Sequence, residues 1–98
     1  MAHHVSRRAG TDLDDIALHT LLTWGAPQME RYMRSLDARF LWLAENPDLG
    51  RRRDEITPGL RSFLEGSHSI FYRMTGEDIE IVAVLHHAQN ATQALGAS

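Results

Sequence analysis

The 98 residues include thirteen Asp and Glu against ten basic side chains, a formal charge of −3, and 43% are hydrophobic. That length fits one domain over 1–98, and that apolar share excludes a disordered chain. The absence of cysteine excludes disulfide scaffolds, thiolate zinc sites and cysteine nucleophiles, and the mild acidity counts against nucleic-acid binding by general electrostatics.

Residues 2–6 form at most a short edge strand. Thr11 or Asp12 is a candidate cap for a first helix, which can also begin earlier, near Ser6. Leu13, Ile16, Ala17, Thr20, Leu21 and Trp24 follow a helical period and make one apolar stripe. Gly25-Ala26-Pro27 ends that helix and starts another, with Gly suited to the stop and Pro to the first turn. The second stripe is Met29, Tyr32, Met33, Leu36, Phe40 and Leu43, closed by Asn46-Pro47. So short a connection makes the two helices an antiparallel hairpin.

A loop spans 47–59. Three strands follow: Leu60–Gly66, Ser69–Arg73 and Ile79–His86, joined by turns at Glu65-Gly66 and Thr75–Asp78. Short connections predict antiparallel pairing. The last strand is apolar at nearly every position but Glu80, as expected where both faces are covered. Residues 88–98 read as a frayed tail or a short weak helix. The fold class is therefore α+β, an N-terminal helical hairpin packed on a small twisted antiparallel sheet.

The order and spacing of several short pieces are similar to one family. They are Ala9 with Asp12-Leu13 and Ile16; Trp24-Gly25; Gln28 and Tyr32; Leu36, Phe40 and Leu43-Ala44; Asn46-Pro47 and Leu49-Gly50; Gly59-Leu60-Arg61; Gly66-Ser67-His68; Ile70-Phe71-Tyr72-Arg73; and Ile79-Glu80-Ile81-Val82 leading to Val84-Leu85-His86. Over about residues 6–87 the chain resembles the ParE-type toxins of the RelE/ParE superfamily, the toxic halves of type II toxin–antitoxin pairs. The resemblance implies growth arrest by the free toxin, inhibition of DNA gyrase, and a ParD-like antitoxin bound in a hetero-oligomer. DNA would be reached only through the antitoxin. The alternatives are a RelE-type ribosome-dependent mRNA endoribonuclease, or an inactive relative that only binds antitoxin. No cofactor and no metal are expected. No apolar run approaches the ~20 residues that span a bilayer, and the N-terminus has no signal-peptide core, so the expected location is the cytoplasm.

The candidate site residues follow from pattern and resemblance together. Leu41 and Trp42 fall off the main stripe of the second helix, and an apolar outer side on a small domain marks a partner surface, here for antitoxin. Arg61 and Arg73, on neighbouring strands, can grip an antitoxin carboxylate or a phosphate, and Arg73 can also face the target. Arg51-Arg52-Arg53 is nearly neutralised by Asp54-Glu55. Ala83 stands where the resemblance expects an arginine. If Val82 and Val84 face the hairpin, simple alternation turns residue 83 to the open face of the sheet, toward the target. His86 closes the last strand as a third target-facing residue. With His68 and Tyr72 it supplies acid–base side chains but, lacking an arginine at 83, an incomplete ribonuclease set, so no residue is assigned a catalytic role.

Overall fold

The computed structural model describes residues 1–96. Strand β1 (His3–Val5) leads into helix α1 (Arg7–Trp24) and helix α2 (Ala26–Glu45), and a single 3-10 turn follows at Pro47–Leu49. Strands β2 (Arg51–Arg52), β3 (Arg61–Glu65), β4 (His68–Thr75) and β5 (Asp78–His86) come next, then a one-turn helix α3 (Ala91–Leu95). The sheet order is β1-β5-β4-β3-β2. Every neighbouring pair is antiparallel except β1 with β5, which is parallel. The sheet is thus mixed rather than purely antiparallel, and Arg51–Arg52, expected in a loop, form one of its two edge strands. The tail expected over 88–98 holds α3, and its last two residues lie outside the described residues.

Helix α1 starts at the earlier of the expected points. Ser6 is its cap, and the Ser6 hydroxyl accepts the Ala9 N–H at 3.0 Å. Thr11 and Asp12 lie inside the helix. Between the helices Gly25 adopts φ 90°, a conformation open to glycine, and its N–H donates to the Leu21 carbonyl at 2.9 Å.

The sheet is buried on both faces. Ile16, Leu36, Phe40 and Leu43 of the hairpin pack on Ile70, Tyr72, Ile79, Ile81 and Val84. On the other face Phe71, Ala83 and Leu85 are covered by Ile56 and Leu60 of the 53–60 loop and by α3. The switch between faces is made by a bulge. Phe71 pairs with Ala83 but Tyr72 pairs with Ile81, so Val82 has no partner. Ile81 and Val84 consequently share the hairpin face, while Val82, Ala83 and Leu85 share the opposite one.

Helix α1 and its cap meet polar groups of β5 at and beyond the last β1 pair, Val5 with Ile81. The Ser6 N–H donates to the Ile81 carbonyl and the Ser6 hydroxyl to the Val82 carbonyl, each at 3.0 Å, and the Asp12 carboxylate accepts the Val84 N–H at 3.0 Å.

Candidate functional site

Two of the expected site residues are occupied in holding the fold. The Arg61 guanidinium donates to the Gly50 carbonyl at 2.9 Å and to the Asp48 carbonyl at 3.2 Å. Beside it the Tyr72 hydroxyl donates to the Pro47 carbonyl and accepts the Gly50 N–H, both at 2.8 Å, and its ring is fully buried. Burial raises the Tyr72 phenol pKa above its ordinary value, an effect the Gly50 N–H and Arg61 partly oppose. Tyr72 is a strut between sheet and loop, not an available acid. Arg73 is exposed and stands across from Glu80, 3.8 Å from its carboxylate. Arg61 pairs in register with Tyr72, so Arg73, the next residue, projects from the opposite face of the sheet. The two arginines share only the rim of one depression near Gly59.

Ala83 is not on an open face. It has no exposed surface and packs among Ile56, Leu60, Phe71 and Leu85. The alternation that turned residue 83 outward assumed that Val82 faces the hairpin. The bulge breaks that assumption, and the 53–60 loop and α3 cover the face that was taken as open.

Leu41 is 54% exposed on α2, as a partner-facing residue must be. Trp42 is half-buried. Its ring sits 5.1 Å from Phe63, with the Arg39 guanidinium 4.8 Å above it, and Arg39 is in turn paired with Glu65 at 2.8 Å. Trp42 therefore belongs partly to the core. The larger apolar surface lies on α1, where Leu18, Leu22 and Trp24 are 56%, 77% and 70% exposed. Trp24 and Leu21 were expected in the core stripe; the buried residues of α1 are only Ala9, Ile16 and Thr20, and its last turn is left open. Periodicity gives the direction a helix face points, not how far the sheet extends beneath it. Leu18 and Leu22, an i,i+4 pair off the main stripe, carried a signal that the stripe reading passed over.

The fold gathers histidines where the hairpin meets the ends of β4 and β5. His68 pairs with His86 across the strands, and their rings meet edge to face at 5.6 Å. His87 stacks on His86 at 4.4 Å. From α2 the Tyr32 hydroxyl reaches His68 Nδ1 at 2.5 Å, accepts the Ser67 N–H at 3.1 Å and lies 3.2 Å from the Glu65 carbonyl. Gly66, at φ 57°, passes so close to the Tyr32 ring that a Cβ there would overlap it. His19, Trp24 and Gln28 complete a cleft of about 200 Å³ with Tyr32, His68 and His86. Burial lowers the His68 pKa, and the neighbouring His86, His19 and His87 lower it further. The contribution of Tyr32 and His19 was not visible in sequence, because only the tertiary fold brings residues 19, 32, 68 and 86 together.

Over residues 4–91 the chain matches the family described as the ParE toxin of type II toxin-antitoxin systems, parDE. The chain belongs to the ParE toxin family. It is 40% identical over 94 residues to Toxin ParE1 of Caulobacter vibrioides, covering 96% of this chain and 97% of that one. To Toxin ParE1 of Mycobacterium tuberculosis strain H37Rv it is 41% identical over 92 residues, covering 93% and 94%. Among solved structures it is similar in fold to a chain of the chromosomal ParDE system from P. aeruginosa, with a TM-score of 0.74, 23% identity, and 88% and 95% of the two chains covered. The helical hairpin on a sheet described above is thus a fold shared with that chain. No helix among the described residues is long and apolar enough to cross a membrane.

Proposed function

We propose that this ParE-family toxin arrests growth by inhibiting DNA gyrase in the cytoplasm and is neutralised by a cognate ParD-like antitoxin. Family membership over residues 4–91 carries the reading. The disposition of the sheet side chains supports a binding rather than a cleaving toxin. Stabilising a phosphorane in RNA cleavage needs free cations beside an acid and a base. Here Arg61 is committed to backbone carbonyls, Tyr72 is buried and position 83 is an enclosed alanine. Arg73 and His86 remain exposed for target contact, and Leu41, with the open edge of Trp42, for antitoxin. Purified toxin should inhibit supercoiling by gyrase and leave mRNA intact in a translating extract.

One observation favours ribosome-dependent mRNA cleavage as the second reading. Tyr32, His68 and His86 converge in one cleft and could exchange protons. Codon-specific cleavage products that vanish on His86→Ala would establish it in place of gyrase inhibition.

A further inference from the structure

The histidine cleft has a composition unlike the rest of this acidic chain. Its lining includes His19, Gln28, Ser67, His68 and His86 and contains no carboxylate. The ring hydrogen bonds leave donors pointing outward. His86 Nδ1 accepts the Ala88 N–H at 3.2 Å, which places the proton of the neutral ring on Nε2. His68 Nδ1 meets the Tyr32 hydroxyl, whose hydrogen is directed to the Glu65 carbonyl, so His68 Nε2 becomes a donor once that ring takes up a proton. Among the described residues neither Nε2 makes a protein hydrogen bond. Charged or titratable groups face His68 from each element around it: His19 on α1, Tyr32 on α2, and His86 and His87 at the end of β5. Glu65, the cross-strand partner of His68 on β3, is already paired with Arg39 at 2.8 Å. The cleft therefore concentrates donors with no negative charge to meet them.

Its rim is apolar. Trp24 lines the mouth and is 70% exposed, and Leu21, one turn earlier on the same side of α1, is 39% exposed. Exposed apolar surface of this kind marks contact with a protein rather than with a free ion. A lone small anion would gain nothing from the tryptophan.

We propose that this cleft is a docking site for an acidic side chain of the antitoxin, with an apolar neighbour of that side chain lying against Trp24. The inference rests on the reading that an antitoxin binds this chain, and it deepens that reading. A segment seated here covers His86, one of the residues left for target contact, so neutralisation would act by direct occlusion. The carboxylate would meet the His86 Nε2 donor, and the His68 Nε2 donor once that ring is protonated, and charge-assisted hydrogen bonds to it strengthen as the rings take up protons. Binding is then linked to proton uptake.

The test uses the full chain and the protein encoded by the reading frame adjoining its gene, with affinity measured by calorimetry between pH 8 and pH 6. The expected result is tighter binding as pH falls, by about tenfold for each unit by which the carboxylate raises a histidine pKa. The double variant His68→Gln, His86→Asn should flatten that dependence. Trp24→Ala, at an exposed position, should weaken binding by roughly tenfold or more. A pH-independent affinity together with an unaffected Trp24→Ala overturns the docking site and leaves the antitoxin reading standing. No binding by the unmodified chain at any pH overturns the antitoxin reading itself, and this proposal with it.

Discussion

The Asp12 carboxylate on α1 accepts the Val84 N–H on β5 at 3.0 Å, although 72 residues separate them. A carboxylate is an unusual partner for a strand amide, and it stands where β1 no longer runs beside β5, since the last β1 pair is Val5 with Ile81. The same carboxylate lies 3.4 Å from Arg8 and is largely screened from solvent. Removing it leaves a nearly enclosed amide without a partner. Asp12→Ala should cost about 1.5–3 kcal/mol, and Asp12→Asn less because its carbonyl still accepts. Urea unfolding of the two variants checks this; equal midpoints for Asp12→Ala and the unmodified chain would show that the bond is not needed.

Ala83→Arg should unfold the chain rather than arm it. The new guanidinium would enter a space enclosed by Ile56, Leu60, Phe71 and Leu85, where the Arg53 guanidinium already lies over the Phe71 ring. An unpaired buried charge costs about 3 kcal/mol or more. Thermal melting and growth arrest should fall together in this variant. A stable Ala83→Arg protein with increased toxicity would mean that the 53–60 loop and α3 are displaced in the active toxin.

Stability should fall as pH drops below about 6.5, the ordinary histidine value. Burial and the neighbouring histidines lower the pKa of His68, so the unfolded chain binds a proton that the folded chain resists. Between the two values the unfolded state carries more protons, and unfolding free energy therefore rises with pH. Asp78, held ionised by the Ala2 N–H and His4, acts in the same direction but only below the ordinary carboxylate range of about 4. Denaturant midpoints of His68→Gln across pH 5–8 should be flatter than those of the unmodified chain. Parallel curves would assign the effect elsewhere.

Leu41 and Trp42 should separate under mutation. Leu41→Ala removes an exposed side chain and should weaken antitoxin binding while leaving the melting temperature unchanged. Trp42→Ala also strips the Phe63 ring and the Arg39 guanidinium of a neighbour, so it should lose about 2 kcal/mol or more of stability in addition. An unaltered affinity in folded Leu41→Ala would take this side of α2 out of the interface.

The hairpin and the three long strands were legible because each is marked locally, by helical period, by Gly25 and Pro27, and by turns at Gly66 and Gly76. What was not legible depends on tertiary structure. Val82-Ala83-Val84 reads as plain alternation, and nothing local announces that one of these residues lacks a cross-strand partner. Ser6 was a weaker cap candidate than Thr11 or Asp12 until the bulge carbonyl of Val82 gave its hydroxyl a second role. Arg51–Arg52 becomes a strand only because Arg61 and Ser62 lie alongside. Of the candidate site, His86 and His68 were visible as residue types, whereas their meeting with Tyr32 and His19 required the packing of α1 and α2 against the strand ends.

The parallel pairing of β1 with β5 sets an order of events during synthesis. His3, His4 and Val5 have their partners at Ile79, Glu80 and Ile81, and Ser6 and Asp12 have theirs at Ile81, Val82 and Val84. The helical hairpin can form from local contacts as soon as it leaves the ribosome, but its N-terminal edge must wait for the penultimate stretch of the chain. The nascent sheet is thus incomplete until β5 has been made, because β5 is the strand that joins β1 to β4.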